Sequence, residues 1–142
     1  MIAVRVTPPD LELWLTRYVR ALAAAEDQDA EVVAREPDTL KVPLARPLIV
    51  LRDDSGARVD LPTFDRSVGF SVLGGTKQAP QPINDLARWL AAVLMDDAIV
   101  EAPGSPIASV DWDGFNGPYP VNDPLNVARR YGTAQYTVVG YW

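Results

Sequence analysis

The stretch RVDLPTFDRSVGFSVL, residues 58–73, decides the fold because its second half alternates between apolar and small polar side chains. Val68, Phe70 and Val72 share one face of the strand that this period of two predicts, and the intervening Ser and Gly residues share the other. Pro62 near its start predicts a bend or an edge position, since proline cannot donate to a sheet ladder. The apolar face needs a covering layer.

Other strands are predicted around this one. An apolar run at residues 47–52 predicts a buried strand. Residues 53–56, Asp-Asp-Ser-Gly, predict the turn between the two, because Asp bonds its own backbone and Gly tolerates a positive φ. Further strands are predicted at residues 31–35, 107–112 and 130–139. Residues 114–120 hold two Gly and two Pro and predict a turn.

The covering layer is predicted by two amphipathic stripes. Residues 8–25 carry apolar side chains at i, i+3, i+4 and i+7, which predicts a helix with Thr7 as its cap and Pro8 in its first turn. Trp14 on this stripe is expected in the core. A second stripe predicts a helix over residues 80–95.

The predicted order is therefore α-β-β-β-α-β-β, and the predicted fold is α+β, with a mixed, mostly antiparallel sheet packed against two helices. Residues 36–47 contain three prolines and predict a loop, an extended arm or a hairpin. We expect one domain over residues 1–142, since a chain of this length buries a core without disulfides or metal.

The missing residue types exclude several chemistries. The chain has no Cys and no His, which excludes disulfides, thiolate nucleophiles, Cys-based metal sites and Ser-His-Asp catalysis within it. No segment approaches the ~20 apolar residues of a membrane span. A soluble protein made in a cytoplasm is the expectation. We predict that the protein is not an enzyme and holds no cofactor or metal.

Two loop patterns come close to ligand-binding motifs. Gly69 and Gly74 have phosphate-loop spacing, but Lys77 comes after the threonine and not directly after the second Gly, so the pattern fails. Residues 111–114, Asp-Trp-Asp-Gly, resemble a fragment of a calcium loop, but Phe115 stands where that loop needs another oxygen ligand. A turn is the favoured interpretation there, with a weak calcium site as the alternative.

Carboxylates are the remaining catalytic candidates. Asp53, Asp54 and Asp65 are the best placed for an acid–base pair, which could act in glycoside hydrolysis at the right separation. The alternative function is a small cytoplasmic enzyme or ligand-binding module that uses Asp53, Asp65 or Asp113. A pocket converging on two of these carboxylates would favour it.

The charge is distributed unevenly. The net charge is −6, and residues 89–128 contain no Lys or Arg. The acidic residues of this stretch are Asp96, Asp97, Glu101, Asp111, Asp113 and Asp123. The rest of the chain is balanced, so the whole net charge lies in one stretch. Sequence-independent binding of nucleic acid is not expected of such a chain, because it requires clustered Lys and Arg.

Seven segments, in this order, resemble the tail terminator proteins of long-tailed (siphovirus-type) phages that infect actinobacteria. They are RDDSG at 52–56, TFDRSVGFSVLGGTK at 63–77, NDLAR at 84–88, GSPIA at 104–108, GPYPV at 117–121, RRY at 129–131 and YTVVG at 136–140. The resemblance spans residues 47–140, and the N-terminal helix fits the family in type only. Head-closure and other neck or connector subunits are similar in size and also lack catalysis.

The resemblance implies an α+β subunit without a cofactor in a ring of six. Such a ring caps the finished tail tube, stops its polymerisation and gives the head connector a joining surface. The implied partners are further copies of the chain, the major tail tube protein and a head-closure or connector protein. DNA would pass through the ring without specific binding. The implied location is the head-proximal end of the virion tail, after assembly in the host cytoplasm.

Several residues are candidates for these contacts. The interface candidates are Asp53, Asp54, Ser55, Gly56, Phe115, Asn116, Pro118 and Tyr119, together with the arm at residues 36–47. The candidates for the channel wall are Asp96, Asp97, Asp111 and Asp113; the alternative for them is an outer solvated face. Tyr141 and Trp142 are expected either in the domain's own core or in a neighbour.

Overall fold

Within residues 5–142, which the computed structural model describes, six strands in one mixed sheet and three α-helices form an α+β fold. The predicted fold class is confirmed. In chain order the elements are α1 (Leu11–Ala25), β1 (Glu31–Val33), β2 (Leu48–Asp53), β3 (Thr63–Gly74), α2 (Gln81–Met95), α3 (Ala98–Glu101), β4 (Ile107–Val110), a 3₁₀ turn (Trp112–Gly114), β5 (Asn116–Pro120) and β6 (Ala128–Val139).

Two long strands form the centre of the sheet. The strand order is β1-β2-β3-β6-β4, and β5 also pairs with β6. β3 and β6 pair antiparallel over twelve residues each, whereas β1 and β2 are parallel. β4 pairs with the end of β6 and β5 with its beginning. β4, the 3₁₀ turn and β5 therefore form one edge of the sheet.

The main core lies between the sheet and the helices. The predicted alternation in β3 is confirmed, because Val68, Phe70 and Val72 are buried on the face that α1 and α2 cover. Tyr136 of β6 is also fully buried there, and its hydroxyl donates to the carbonyl of Leu94 at 2.7 Å. That hydrogen bond satisfies the one polar group of the side chain, so the hydroxyl is buried without the penalty of an unpaired polar group.

The proline-rich arm, residues 36–47, packs on the face of the sheet that α1 and α2 do not cover. Leu40 and Leu44 contact a small cluster of buried side chains from β2 and β3. The arm is held at its C-terminal end by Arg46, which donates to Asp29 Oδ1 and to the carbonyl of Ala30, both at 2.9 Å. The segment is a loop, as predicted, but much of its apolar surface is already used within the chain.

The start of α1 differs from the prediction. The N-cap is Asp10, whose carboxylate accepts a hydrogen bond from the backbone N–H of Leu13 at 3.1 Å, and the helix begins at Leu11. Thr7 forms a backbone bridge with Tyr141 instead. The prediction of Thr7 as the cap is wrong because a competing cap residue lay three positions further on.

The predicted turn at residues 53–56 is also wrong. Asp53 pairs with Val68 and Arg58 with Phe64, so the chain continues beside β3 with one extra residue. Ser55 has a φ of 72°, the left-handed conformation that one type of bulge contains. The chain reverses only after Arg58, where Val59 and Thr63 are hydrogen-bonded. The turn-forming residues at 53–56 therefore make a bulge and not the hairpin end.

The segment 114–120, predicted as a turn, contains the strand β5. Asn116 pairs with Thr133 and Tyr119 with Tyr131, with a register shift between them at Gly117 and Pro118. An edge strand with a bulge tolerates proline because its outer N–H groups have no strand partner. The short α3 was not predicted, since four residues are too few for a periodic signal.

Candidate assembly surfaces

A polar and aromatic network crosses the face of the sheet opposite α1 and α2, which we call the open face. Arg52 Nε lies 2.6 Å from Asp54 Oδ1, and Arg52 Nη2 donates to the hydroxyl of Tyr131 at 3.3 Å. The rings of Tyr131 and Tyr119 meet edge to face with centroids 5.9 Å apart. The hydrogen bond to Asp54 raises the pKa of Arg52. The network links β2, β6 and β5.

Gly69 makes room for this network. A Cβ atom at Gly69 would lie 2.6 Å from the Tyr131 hydroxyl and 2.8 Å from Asp54 Oδ2, closer than non-bonded atoms approach. The missing side chain lets the two polar groups approach across β3. The glycine therefore has a packing role on the open face, and no phosphate-loop geometry is needed to explain it.

The structure brings two of the predicted interface groups together. Asp54 and Tyr119 belong to the same network, although Arg52 and Tyr131, which connect them, were not among the predicted residues. The sequence contained a signal that could have pointed to Arg52 as a surface residue, because it is the charged residue that ends an apolar run. Tyr131 had no such signal, since its distance in sequence from Arg52 hides the contact.

The other predicted interface residues have different surroundings. Asp53 lies 3.7 Å from Arg66 Nε and accepts from the backbone N–H of Ser55 at 2.7 Å. Phe115 is half-buried, and its ring centroid is 6.0 Å from that of Phe70 in the core. The accessible members of the predicted set are Asp54, Ser55, Gly56, Asn116 and Tyr119, with Pro118 half-buried at the edge.

The four predicted channel residues lie at one end of the molecule. Trp112 in the 3₁₀ turn donates its indole N–H to the carbonyl of Met95 at 3.1 Å, which joins the turn to the end of α2. The acidic residues that flank Met95 and Trp112 in the sequence are Asp96, Asp97, Asp111 and Asp113. Among the residues the structure describes, none of the four forms an ion pair. Asp111 is half-buried and the other three are exposed.

Asp123 does not belong to this negative surface. Its carboxylate is buried and lies 2.8 Å from Arg129 Nε, and Arg129 Nη1 lies 2.8 Å from Glu36 Oε1. Burial alone would raise the pKa of Asp123, but hydrogen bonds from Leu125 and Arg129 lower it. Asp123 therefore holds the arm and the β5–β6 loop together, and the acidic surface is smaller than the sequence suggests.

A cleft of about 360 Å³ lies beside this ion pair, between the start of α2 and the β5–β6 connection. Its lining includes Lys77, Pro80, Pro120, Val121 and Arg130. Arg130 donates to Asn84 Oδ1 at 3.3 Å and to the carbonyl of Arg129. Among residues 5–142 it contacts no carboxylate, so its positive charge is not neutralised. We call this site the proline–arginine cleft.

Tyr141 and Trp142, which we call the aromatic tail, are 62% and 77% exposed. The expectation that they pack into the domain's own core is wrong. The backbone N–H of Gly140 donates to the carbonyl of Pro62 at 2.8 Å, which brings the aromatic tail next to the β2–β3 connection. Leu61 and Val139, which are also exposed, extend the apolar surface beside the aromatic tail. An exposed patch of large apolar side chains is typical of a protein contact.

The carboxylates considered for catalysis do not form a free pair. Asp53 is on the helix-covered side of β2, next to Arg66. Asp65 precedes Arg66 in β3, so it lies on the opposite face of the sheet from Asp53. Asp54 shares the open face with Asp65, but its carboxylate is paired with Arg52 at 2.6 Å. Asp113 lies at the far edge, beyond β6, so this geometry gives no support to a catalytic carboxylate pair.

In the part of the chain that the structure describes, no group of three or more acidic side chains is placed to hold a metal ion. None of the helices between residues 5 and 142 has the length and apolar character needed to cross a membrane. No protein-family model matches the chain, and a search of curated proteins finds no relative.

Proposed function

We propose that the protein is a structural tail terminator of a long-tailed phage. In this role it forms a ring, caps the tail tube, stops its polymerisation and provides the surface that joins the head connector. The proposal is supported by the seven resembling segments in their order. Six of the seven include residues of β2, β3, β4, β5 or β6, and NDLAR lies on α2 above them, so the resemblance covers the sheet and its helix.

The observation that carries the proposal is the open-face network. Three resembling segments meet there, since Asp54, Tyr119 and Tyr131 come from 52–56, 117–121 and 129–131. Protein interfaces are enriched in Tyr and Arg: Tyr provides a large contact area with few rotatable bonds, and Arg provides a planar cation that donates several hydrogen bonds. A surface of this composition suits recognition of another protein and provides no reacting group.

The acidic end of the molecule has a role in the same proposal. Asp96, Asp97, Asp111 and Asp113 face the channel, through which DNA passes. A wall without Lys or Arg does not hold phosphates at physiological salt. Repetition of the patch around a ring adds its field within a confined space, where screening acts over about 8 Å.

The proposal is tested by capping of tail tubes. The purified protein is mixed with the major tail tube protein of the same phage during tube growth, and length and ends are measured by negative-stain microscopy. We expect rings on one end of each tube and shorter tubes. Tubes that grow unchanged and carry no rings would contradict the proposal. Binding to the connector with no effect on tubes would assign the chain to the head-closure proteins instead.

A matched pair of variants tests the open face. Arg52→Ala with Tyr119→Ala removes two side chains of the network, and both residues are accessible enough for the fold to persist. Arg17→Ala with Leu13→Ala removes a comparable charged and apolar pair from the exposed side of α1, on the other side of the sheet from the network. We expect capping to weaken at least tenfold in the first variant and to stay unchanged in the second. Equal capping by both would remove the open face from the proposal.

A further inference from the structure

The aromatic tail is held in place by the backbone beside it. The backbone N–H of Thr7 donates to the carbonyl of Tyr141 at 2.7 Å, and the N–H of Tyr141 donates back at 3.0 Å. Gly140 makes this approach possible, since a Cβ there would lie 2.5 Å from the carbonyl oxygen of Thr7. The two rings are therefore presented outward on an ordered backbone. Less conformational entropy is lost when a pre-ordered group binds.

The proline–arginine cleft has the chemistry that an aromatic side chain needs. Pro80, Pro120 and Val121 provide apolar surface, and Arg130 provides a cation without a carboxylate partner. A guanidinium over an indole ring is among the favourable cation–π contacts, and tryptophan is the best ring for it. The volume of about 360 Å³ falls within the range of about 300–1,000 Å³ that small-molecule pockets occupy, which accommodates an indole.

The tail and the cleft are at opposite ends of the same strand. Arg130 is near the start of β6 and Val139 at its end, nine residues away, which is about 30 Å at the rise of a strand. The tail cannot reach the cleft of its own chain. It can reach the cleft of a second copy. Two different patches that fit each other make a head-to-tail contact, which repeats into a ring when the rotation closes.

We propose that the aromatic tail of one copy docks into the proline–arginine cleft of the next copy, with Trp142 over Arg130. This contact specifies how neighbouring subunits of the proposed ring bind each other. It rests on the proposed function only for the closure of the ring and for the number of its subunits. Two aromatic side chains bury about 150–250 Å² each, less than a stable interface needs on each partner. The tail is therefore the anchor of a larger contact.

The test uses two variants of the full chain, each with one defective patch. Trp142→Ala removes the indole of the aromatic tail and leaves the cleft intact, whereas Arg130→Glu reverses the charge of the cleft and leaves the aromatic tail intact. We expect each variant alone to be monomeric, with the association constant lowered at least about 30-fold, as for an interface hot spot. Mixed together, they should form a one-to-one dimer that cannot extend, which native mass spectrometry detects.

Matched controls make the result specific. Trp112→Ala removes another exposed tryptophan, and Arg17→Glu makes the same charge reversal on the outside of α1. Both should assemble like the wild type. Circular dichroism and thermal melts establish that all four variants are folded. If Arg130→Glu does not fold, Arg130→Gln replaces it, since its amide can still bond Asn84 while the charge is lost.

The outcomes separate this contact from the proposed function. Wild-type oligomers together with a Trp142→Ala variant that assembles normally would overturn the tail–cleft contact, as would a mixture that stays monomeric. A wild-type protein that remains monomeric at high concentration and still caps tubes would overturn self-docking and leave the tail terminator proposal standing. Oligomers that depend on both patches but never bind tubes would support the contact and contradict the function.

Discussion

Two tyrosines on the same strand show how the two faces of the sheet differ. Tyr136 of β6 is fully buried under the helices, and its hydroxyl donates to the carbonyl of Leu94. Burial raises the pKa of Tyr136 well above its usual value. Tyr131, five residues earlier and on the open face, is half-exposed and bonds to Arg52. One face serves stability, and the other leaves polar and aromatic groups available for a partner.

The largest expected difference between the faces is in side-chain truncation. Phe70→Ala on the helix-covered face should lower the free energy of unfolding by about 3–5 kcal/mol, because a fully buried ring is lost and a cavity remains. Ser71→Ala, one residue later on the open face, should change it by less than about 0.5 kcal/mol. Urea denaturation measures both. Similar values would contradict the contrast between the faces.

The second effect concerns the buried ion pair beside the cleft. Asp123→Asn leaves Arg129 with only Glu36 and should cost about 1–3 kcal/mol, less than a deeply buried pair because this one lies at the rim. Asp97→Asn, at an exposed acidic residue without an ion pair, is the control and should have little effect. Thermal melts of both variants provide the comparison.

The pH dependence of the same pair has a definite sign. The pKa of Asp123 is lower in the folded chain than its usual value of about 3.9, so the folded state holds its proton less tightly than the unfolded state. The stabilisation is complete above the unfolded pKa and is lost as the pH falls through the folded value. The Asp123→Asn variant should lose less stability than the wild type between about pH 5 and pH 2. Parallel curves would contradict this.

A smaller effect compares the two tyrosines directly. Tyr136→Phe removes the donor to the carbonyl of Leu94 and should cost about 1 kcal/mol, because a buried acceptor loses its partner. Tyr131→Phe removes a hydroxyl that water can replace and should cost under about 0.5 kcal/mol. Tyr131→Phe should instead weaken the capping of tail tubes. Equal stability losses would show that the open-face hydrogen bond is as protected as the buried one.

The smallest expected effect on stability comes from the acidic end. Changing Asp96, Asp97, Asp111 and Asp113 together to Asn should change the free energy of unfolding by less than about 1 kcal/mol, since Asn can still cap Ala98. Tails should assemble, but DNA passage should slow, more so at low salt. The control changes four acidic residues outside the acidic end and the arm to their amides: Asp27, Glu31, Asp60 and Asp85. Normal ejection kinetics with the first set would place these residues on an outer wall.

Local patterns were sufficient for much of the fold and for little of the candidate surfaces. The alternation in β3 and the stripes of α1 and α2 specify which side chains are buried, and all three elements were predicted within a few residues except for the start of the strand. The turn at 53–56 and the turn at 114–120 were wrong, since Asp, Ser, Gly and Pro also occupy bulges and edge strands.

The sequence by itself determined the α+β class, the buried face of β3 and the absence of Cys and His chemistry, because each depends on residue types or on spacing within one element. Only the tertiary structure decided which charges remain exposed. Arg129 meets Glu36 from 93 positions away, and Arg52 meets Tyr131 from 79 positions away. Such contacts follow from the register between whole strands, which one-residue shifts would change completely, and no local pattern encodes it.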